Sequence, residues 1–80
     1  MTAFEVRQRQ AREFQAAVRY LDANQCSPLH DVVRTLVERC PSLGFEYLSI
    51  LLGDWSVQFR TEHQAEIESA LMLALESRAA

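Results

Sequence analysis

The 80-residue chain is 49% apolar and 24% charged, with a formal net charge of −3. That composition excludes intrinsic disorder and predicts one small domain spanning residues 1–80, which buries roughly 60% of the surface its unfolded form exposes and has little room for a deep catalytic pocket. All eight basic residues are arginine: six stand with five carboxylates in residues 1–40, and two with six carboxylates in residues 41–80. Nucleic-acid binders gather positive charge on one face, so the acidic second half argues against that role and favours a partner with a basic surface.

The arginine-only set reads first as codon bias and only second as phosphate or carboxylate recognition. No run of 18 apolar residues exists, and the segment Met1 to Arg7 lacks the basic start and apolar core of a signal peptide. A cytoplasmic protein with no membrane association is expected.

Thr2-x-x-Glu5 is a capping box and opens a first helix over residues 3–23. Phe4, Ala11, Phe14, Val18 and Leu21 form its apolar stripe. Arg7 falls on the same stripe, at the open end of the bundle or against a carboxylate of another helix. Asn24 is expected to end the helix as a left-handed cap.

Ser27-Pro28 predicts the next start, with serine accepting free amide hydrogens and proline at the first helical position. Over residues 28–40, Leu29, Val32, Val33, Leu36, Val37 and Cys40 recur at helical spacing, and Asp31 suits the positive end of the helix dipole. Cys26 and Cys40 would lie roughly 20 Å apart along such a helix. A disulfide needs Cα atoms within about 7 Å, so both are expected as free thiols, with Cys40 a small buried apolar residue.

Residues 45–60 carry two periodicities. Trp55, Val57 and Phe59 alternate as in a strand, whereas Leu48, Leu51, Leu52, Trp55 and Phe59 recur as in a helix. A lone strand would leave its ladder groups unpaired and no other segment reads as a strand, so a helix is expected, with a possible break at residues 53–54. Thr61-x-x-Gln64 is a second capping box and predicts a last helix over residues 62–78, with Ile67, Ala70, Leu71, Ala74 and Leu75 facing the core. The fold class is therefore all-α, a small bundle of four helices, or five if the third is broken.

Catalytic constellations are missing from the sequence. Glu62-His63-x-x-Glu66 is the one cluster with a metal-ligand look, but nothing completes a three- or four-ligand set, and His63 is expected to be partly buried and hydrogen-bonded. Two glycines exclude a glycine-rich phosphate loop, and no nucleophile elbow is present. No enzyme activity, metal or cofactor is expected. The size and acidity invite comparison with acyl carrier proteins, but the only Ser-Leu pair, Ser42-Leu43, follows Pro41 and lacks their preceding aspartate. A helix-turn-helix running through Pro41–Gly44 would offer Glu46 and Asp54, and no basic side chain before Arg60, to phosphates.

Surplus apolar surface remains. With the core stripe of the third helix turned inward, Tyr47, Ile50 and Val57 fall on a second side near Asp54; on the last helix Met72 and Leu73 lie toward Glu62 and Glu66. These eight residues are the candidate interface, and the expected function is non-catalytic binding, and inhibition or regulation, of a larger protein. In size and character the chain is similar to phage-encoded inhibitors such as anti-CRISPR proteins and to small regulators or secretion chaperones, a similarity carried by no motif. A homodimeric module, and nucleic-acid binding through Arg7, Arg9, Arg12 and Arg19, are the alternatives.

Overall fold

Four helices form where the 3.6-residue apolar period predicts them: α1 (Ala3–Ala23), α2 (Leu29–Arg39), α3 (Phe45–Phe59) and α4 (Gln64–Ala79). The computed structural model describes residues 2–59 and 63–79, and their side chains except at 58, 59 and 79. Among the described residues there is no strand, so the second periodicity of residues 55–59 belongs to a helix with apolar residues on two sides. The bundle is all-α, and α4 packs most extensively on α2 and α3.

The Thr2 hydroxyl accepts from the Glu5 amide at 3.2 Å and starts α1 as the capping box requires. The end of α1 differs from expectation. Asn24 is not left-handed, with φ −124° and ψ 47°; instead its side-chain amide donates to the Tyr20 carbonyl at 2.8 Å and its backbone amide to Leu21. The side chain thus satisfies a terminal carbonyl that a left-handed turn would otherwise serve.

α2 begins one residue later than Ser27-Pro28 implies. The Pro28 carbonyl accepts from the Val32 amide at 3.1 Å, while the Ser27 hydroxyl turns back to donate to Asn24 Oδ1 at 3.1 Å. Proline therefore stands at the cap position, outside the first helical turn. At the other end, Arg78 of α4 donates to the carbonyls of Val37 and Cys40 at 3.4 and 3.5 Å, serving acceptors that have no intrahelical partner.

α3 runs unbroken through residues 53–54. Gly53 marks a close approach here: the Gln64 carboxamide lies over it, so that a Cβ at this position would stand 2.9 Å from Gln64 Oε1. The same carboxamide, from a member of the second capping box, donates to the Ser49 hydroxyl at 2.9 Å, a cross-helix bond. Thr61, the other member of that capping box, lies outside the described residues. α4 starts at residue 64 and not 62, with the His63 carbonyl accepting from the amides of Glu66 and Ile67. His63 is accordingly exposed at the helix entrance, and the expectation of a partly buried histidine fails because the residue precedes the helix whose face was to bury it.

The core gathers Val32, Val33, Leu36, Val37 and Cys40 from α2, Leu48, Leu51, Leu52 and Trp55 from α3, Ile67, Ala70 and Leu71 from α4, and Leu43 from the α2–α3 turn. α1 contributes only Ala17 and Leu21. Its inward side is the line Gln10, Glu13, Ala17, Tyr20, Leu21 and Asn24, rotated by roughly 60–100° from the predicted stripe at about 100° per residue.

The cause is polar. The Gln10 side chain donates to the Ser42 carbonyl at 3.1 Å, the Ser42 amide donates to Glu13 Oε1 at 2.9 Å, and the Cys40 thiol donates to the Glu13 carbonyl at 3.6 Å. These contacts clasp α1 to the α2–α3 turn and leave Phe4, Ala11, Phe14 and Val18 of its stripe outward, while Leu21 stays in the core.

Candidate interaction surface

The outward side of α3 carries Tyr47, Ile50, Asp54 and Val57, all exposed. Val57 is 85% exposed and Ile50 62%, values that set them apart from Leu48 and Leu52 on the same helix, which are fully buried. Glu46 and Asp54 are the charges of α3, which contains no basic residue.

The α4 candidates do not extend this face as one patch. Met72 and Leu73 are both exposed, but adjacent residues diverge by about 100° around a helix. Met72 opens on a groove of about 430 Å³ shared with Phe45, Leu75 and Glu76, beside α3. Leu73 opens on the opposite flank, in a groove of about 430 Å³ against α2 that includes His30, Arg34, Glu38 and Arg78. Glu66 is exposed, and Glu62 lies outside the described residues.

An apolar surface that the sequence assigns to the core lies on α1. Phe4 is 68% exposed, Phe14 and Val18 more than a third, and every residue from Ala3 to Arg9 is exposed. Phe14 and Ala11, with Arg7 and Gln10, form one wall of a groove of about 280 Å³ whose other wall is Leu43 and Tyr47. This groove joins the α1 stripe to the α3 face. One signal for the surface was available: Arg7 in the middle of the stripe, a residue that a buried stripe would leave without water.

Cys26 and Cys40 are free thiols, the first exposed and the second buried. Burial, then the nearby Glu13 carboxylate, push the Cys40 thiol above its ordinary range, with Arg39 working the other way. A raised thiol pKa lowers the thiolate fraction, so Cys40 is a packing residue and a poor nucleophile. Among the described residues no three His, Cys, Asp or Glu side chains come together to hold a metal ion, and no helix is long and apolar enough to cross a membrane. No family model, curated protein or solved structure matches this chain.

Proposed function

We propose that this protein is a non-catalytic interaction module of the cytoplasm that docks on a larger protein through the outward face of α3 and regulates or inhibits it by occluding the surface it covers. The outward exposure of Ile50 and Val57 on a helix whose opposite side fills the core carries this reading. A soluble monomer gains nothing in stability from large apolar side chains so placed, whereas a partner surface recovers roughly 25 cal/mol for each Å² of apolar area removed from water. Glu46 and Asp54 rim the face with negative charge and favour a partner with a basic surface. Met72, across a groove from Phe45, which packs against the core, lies apart from this face.

Capture from the native host with three baits tests the proposal: wild type, an Ile50→Glu, Val57→Glu double variant, and Leu73→Glu. Partners lost with the double variant but kept with Leu73→Glu support docking through α3. Partners that survive the folded double variant refute it.

A further inference from the structure

We infer that α1 is a releasable strap: it lifts from the α2–α3 turn as a unit while α2, α3 and α4 stay packed on one another, and its release uncovers Cys40 and Leu43. The inference stands apart from the binding proposed for the outward face of α3.

Four observations carry it. First, α1 gives the core little. Of its 21 residues only Ala17 and Leu21 are buried, whereas the 11 residues of α2 bury Val32, Val33, Leu36 and Val37. Every residue from Ala3 to Arg9 is exposed, so the opening turns of α1 add no hold.

Second, the polar fastenings of α1 converge on one short segment, residues 39–42. Gln10 donates to the Ser42 carbonyl and Glu13 accepts from the Ser42 amide. The Cys40 thiol donates to the Glu13 carbonyl, and the Arg39 guanidinium stands 5.2 Å from the centre of the Tyr20 ring. Water takes the place of each partner when the helix lifts, so these contacts are exchanged and not simply lost.

Third, closure leaves a polar atom unserved. Glu13 Oε2 is buried and, among the described residues, has no hydrogen-bond partner. Opening returns it to water, which offsets part of the cost of the broken bonds. Fourth, the rest of the bundle is tied together without α1: α4 packs most extensively on α2 and α3, and Arg78 of α4 serves the carbonyl end of α2. The element with the fewest buried apolar contacts is the one that opens below the threshold of global unfolding.

What the strap covers gives the motion its consequence. Cys40 and Leu43 are each 1% exposed in the closed chain. The Cys40 thiol lies against the Glu13 carbonyl, and Leu43 stands across a groove from Phe14. Lifting α1 removes the cover from both while the α2–α4 pairing stays intact.

Amide hydrogen exchange of the full chain is the test, under conditions where the rate reads the opening equilibrium. A lifted α1 loses protection because a helix draws most of its stability from packing. In wild type the amides of residues 17–23 are expected to exchange at least about tenfold faster than the slowest amides of α2 and α4, each relative to an unstructured chain. Val37→Ala weakens the pairing of α2 with α4, in a groove that no residue of α1 lines. It is expected to speed the slowest amides of α2 and α4 about tenfold and to leave residues 17–23 unchanged, because that pairing is the same with the strap closed or open. Gln10→Ala with Glu13→Ala is expected to speed residues 17–23 about tenfold or more. In a Cys26→Ser chain, modification of Cys40 by a thiol reagent should follow residues 17–23 in both variants.

Residues 17–23 that exchange as slowly as the slowest amides of α2 and α4 in wild type overturn the inference, and this comparison needs no variant to fold. So does an acceleration by Val37→Ala as large at residues 17–23 as in α4, because α1 then opens only with the whole fold. Exchange that the Gln10→Ala, Glu13→Ala chain leaves unchanged overturns the fastening at Ser42. Cys40 modification that follows α4 instead overturns its uncovering by α1.

Discussion

Glu13 and Ser42 are joined across 29 positions of sequence, the carboxylate of the first accepting from the backbone amide of the second at 2.9 Å. This bond fixes the rotation of α1. Hydrogen bonds to a charged group contribute about 1.5–3 kcal/mol, comparable with what the burial of a single aliphatic side chain supplies. Glu13→Ala is expected to lower stability to urea by an amount in that range, and Glu13→Gln by less, because its amide oxygen can still accept from Ser42. Equal losses in the two variants would show that the carboxylate contributes charge and not a specific bond.

Gly53 and Gln64 form a coupled pair. Alanine is favoured over glycine inside a helix by about 1 kcal/mol, but a Cβ at position 53 displaces the Gln64 carboxamide from Ser49 and forfeits a hydrogen bond of about the same worth. Gly53→Ala alone is therefore expected to be nearly neutral, and in a Gln64→Ala background to stabilise by about 1 kcal/mol. A double-mutant cycle in thermal unfolding reads the coupling, and additive effects would remove it.

The Cys40 thiol makes the fold sensitive to alkali. Its pKa in the folded chain lies above that of the unfolded chain, so its contribution to stability is complete below the ordinary thiol value of about 8.5 and is lost as pH rises through the folded value. Wild type is expected to lose more stability than Cys40→Ala between neutral pH and pH 10. A thiol reagent at pH 8 should modify exposed Cys26 well before Cys40, and equal rates would contradict the burial of Cys40.

Two substitutions on α3 should separate its sides. Leu52→Ala removes a fully buried side chain and is expected to cost about 2–5 kcal/mol, enough to unfold much of an 80-residue domain. Val57→Glu changes an exposed residue and should move stability by no more than about 0.5 kcal/mol. A large loss from Val57→Glu would mean that this side chain is covered.

The apolar period of α2 was legible in the sequence because it has one inward stripe, and Leu36 lies where that stripe predicts; residues 70–75 of α4 are apolar nearly all round, yet Ile67, Ala70 and Leu71 are buried as expected. The outward placement of Tyr47, Ile50 and Val57 was legible too, once Leu48 and Leu52 were turned to the core. The rotation of α1 was not. Its apolar stripe is interrupted by Arg7 but reads as a core face, and nothing local to residues 3–23 shows that Gln10 and Glu13 bind the backbone of Ser42, a contact between segments far apart in sequence. The divergence of Met72 and Leu73 was hidden for a related reason: which flank of α4 each residue meets depends on the seating of α2 and α3 beside it. The bond from Gln64 to Ser49 is likewise a contact between segments distant in sequence.

Arg78 reaches across from the last turn of α4 to the carbonyl end of α2. The pairing of α2 with α4 thus closes only after residues 64–78 have been synthesised, while α1 and α2 emerge much earlier. Until then α2 lacks the most extensive of its packing partners, and the growing chain exposes more of Val33, Leu36 and Val37 than the finished one does. Removal of the final turn should accordingly be felt first at the far end of α2, as faster amide hydrogen exchange at Leu36 to Cys40, before it is felt in α4 itself.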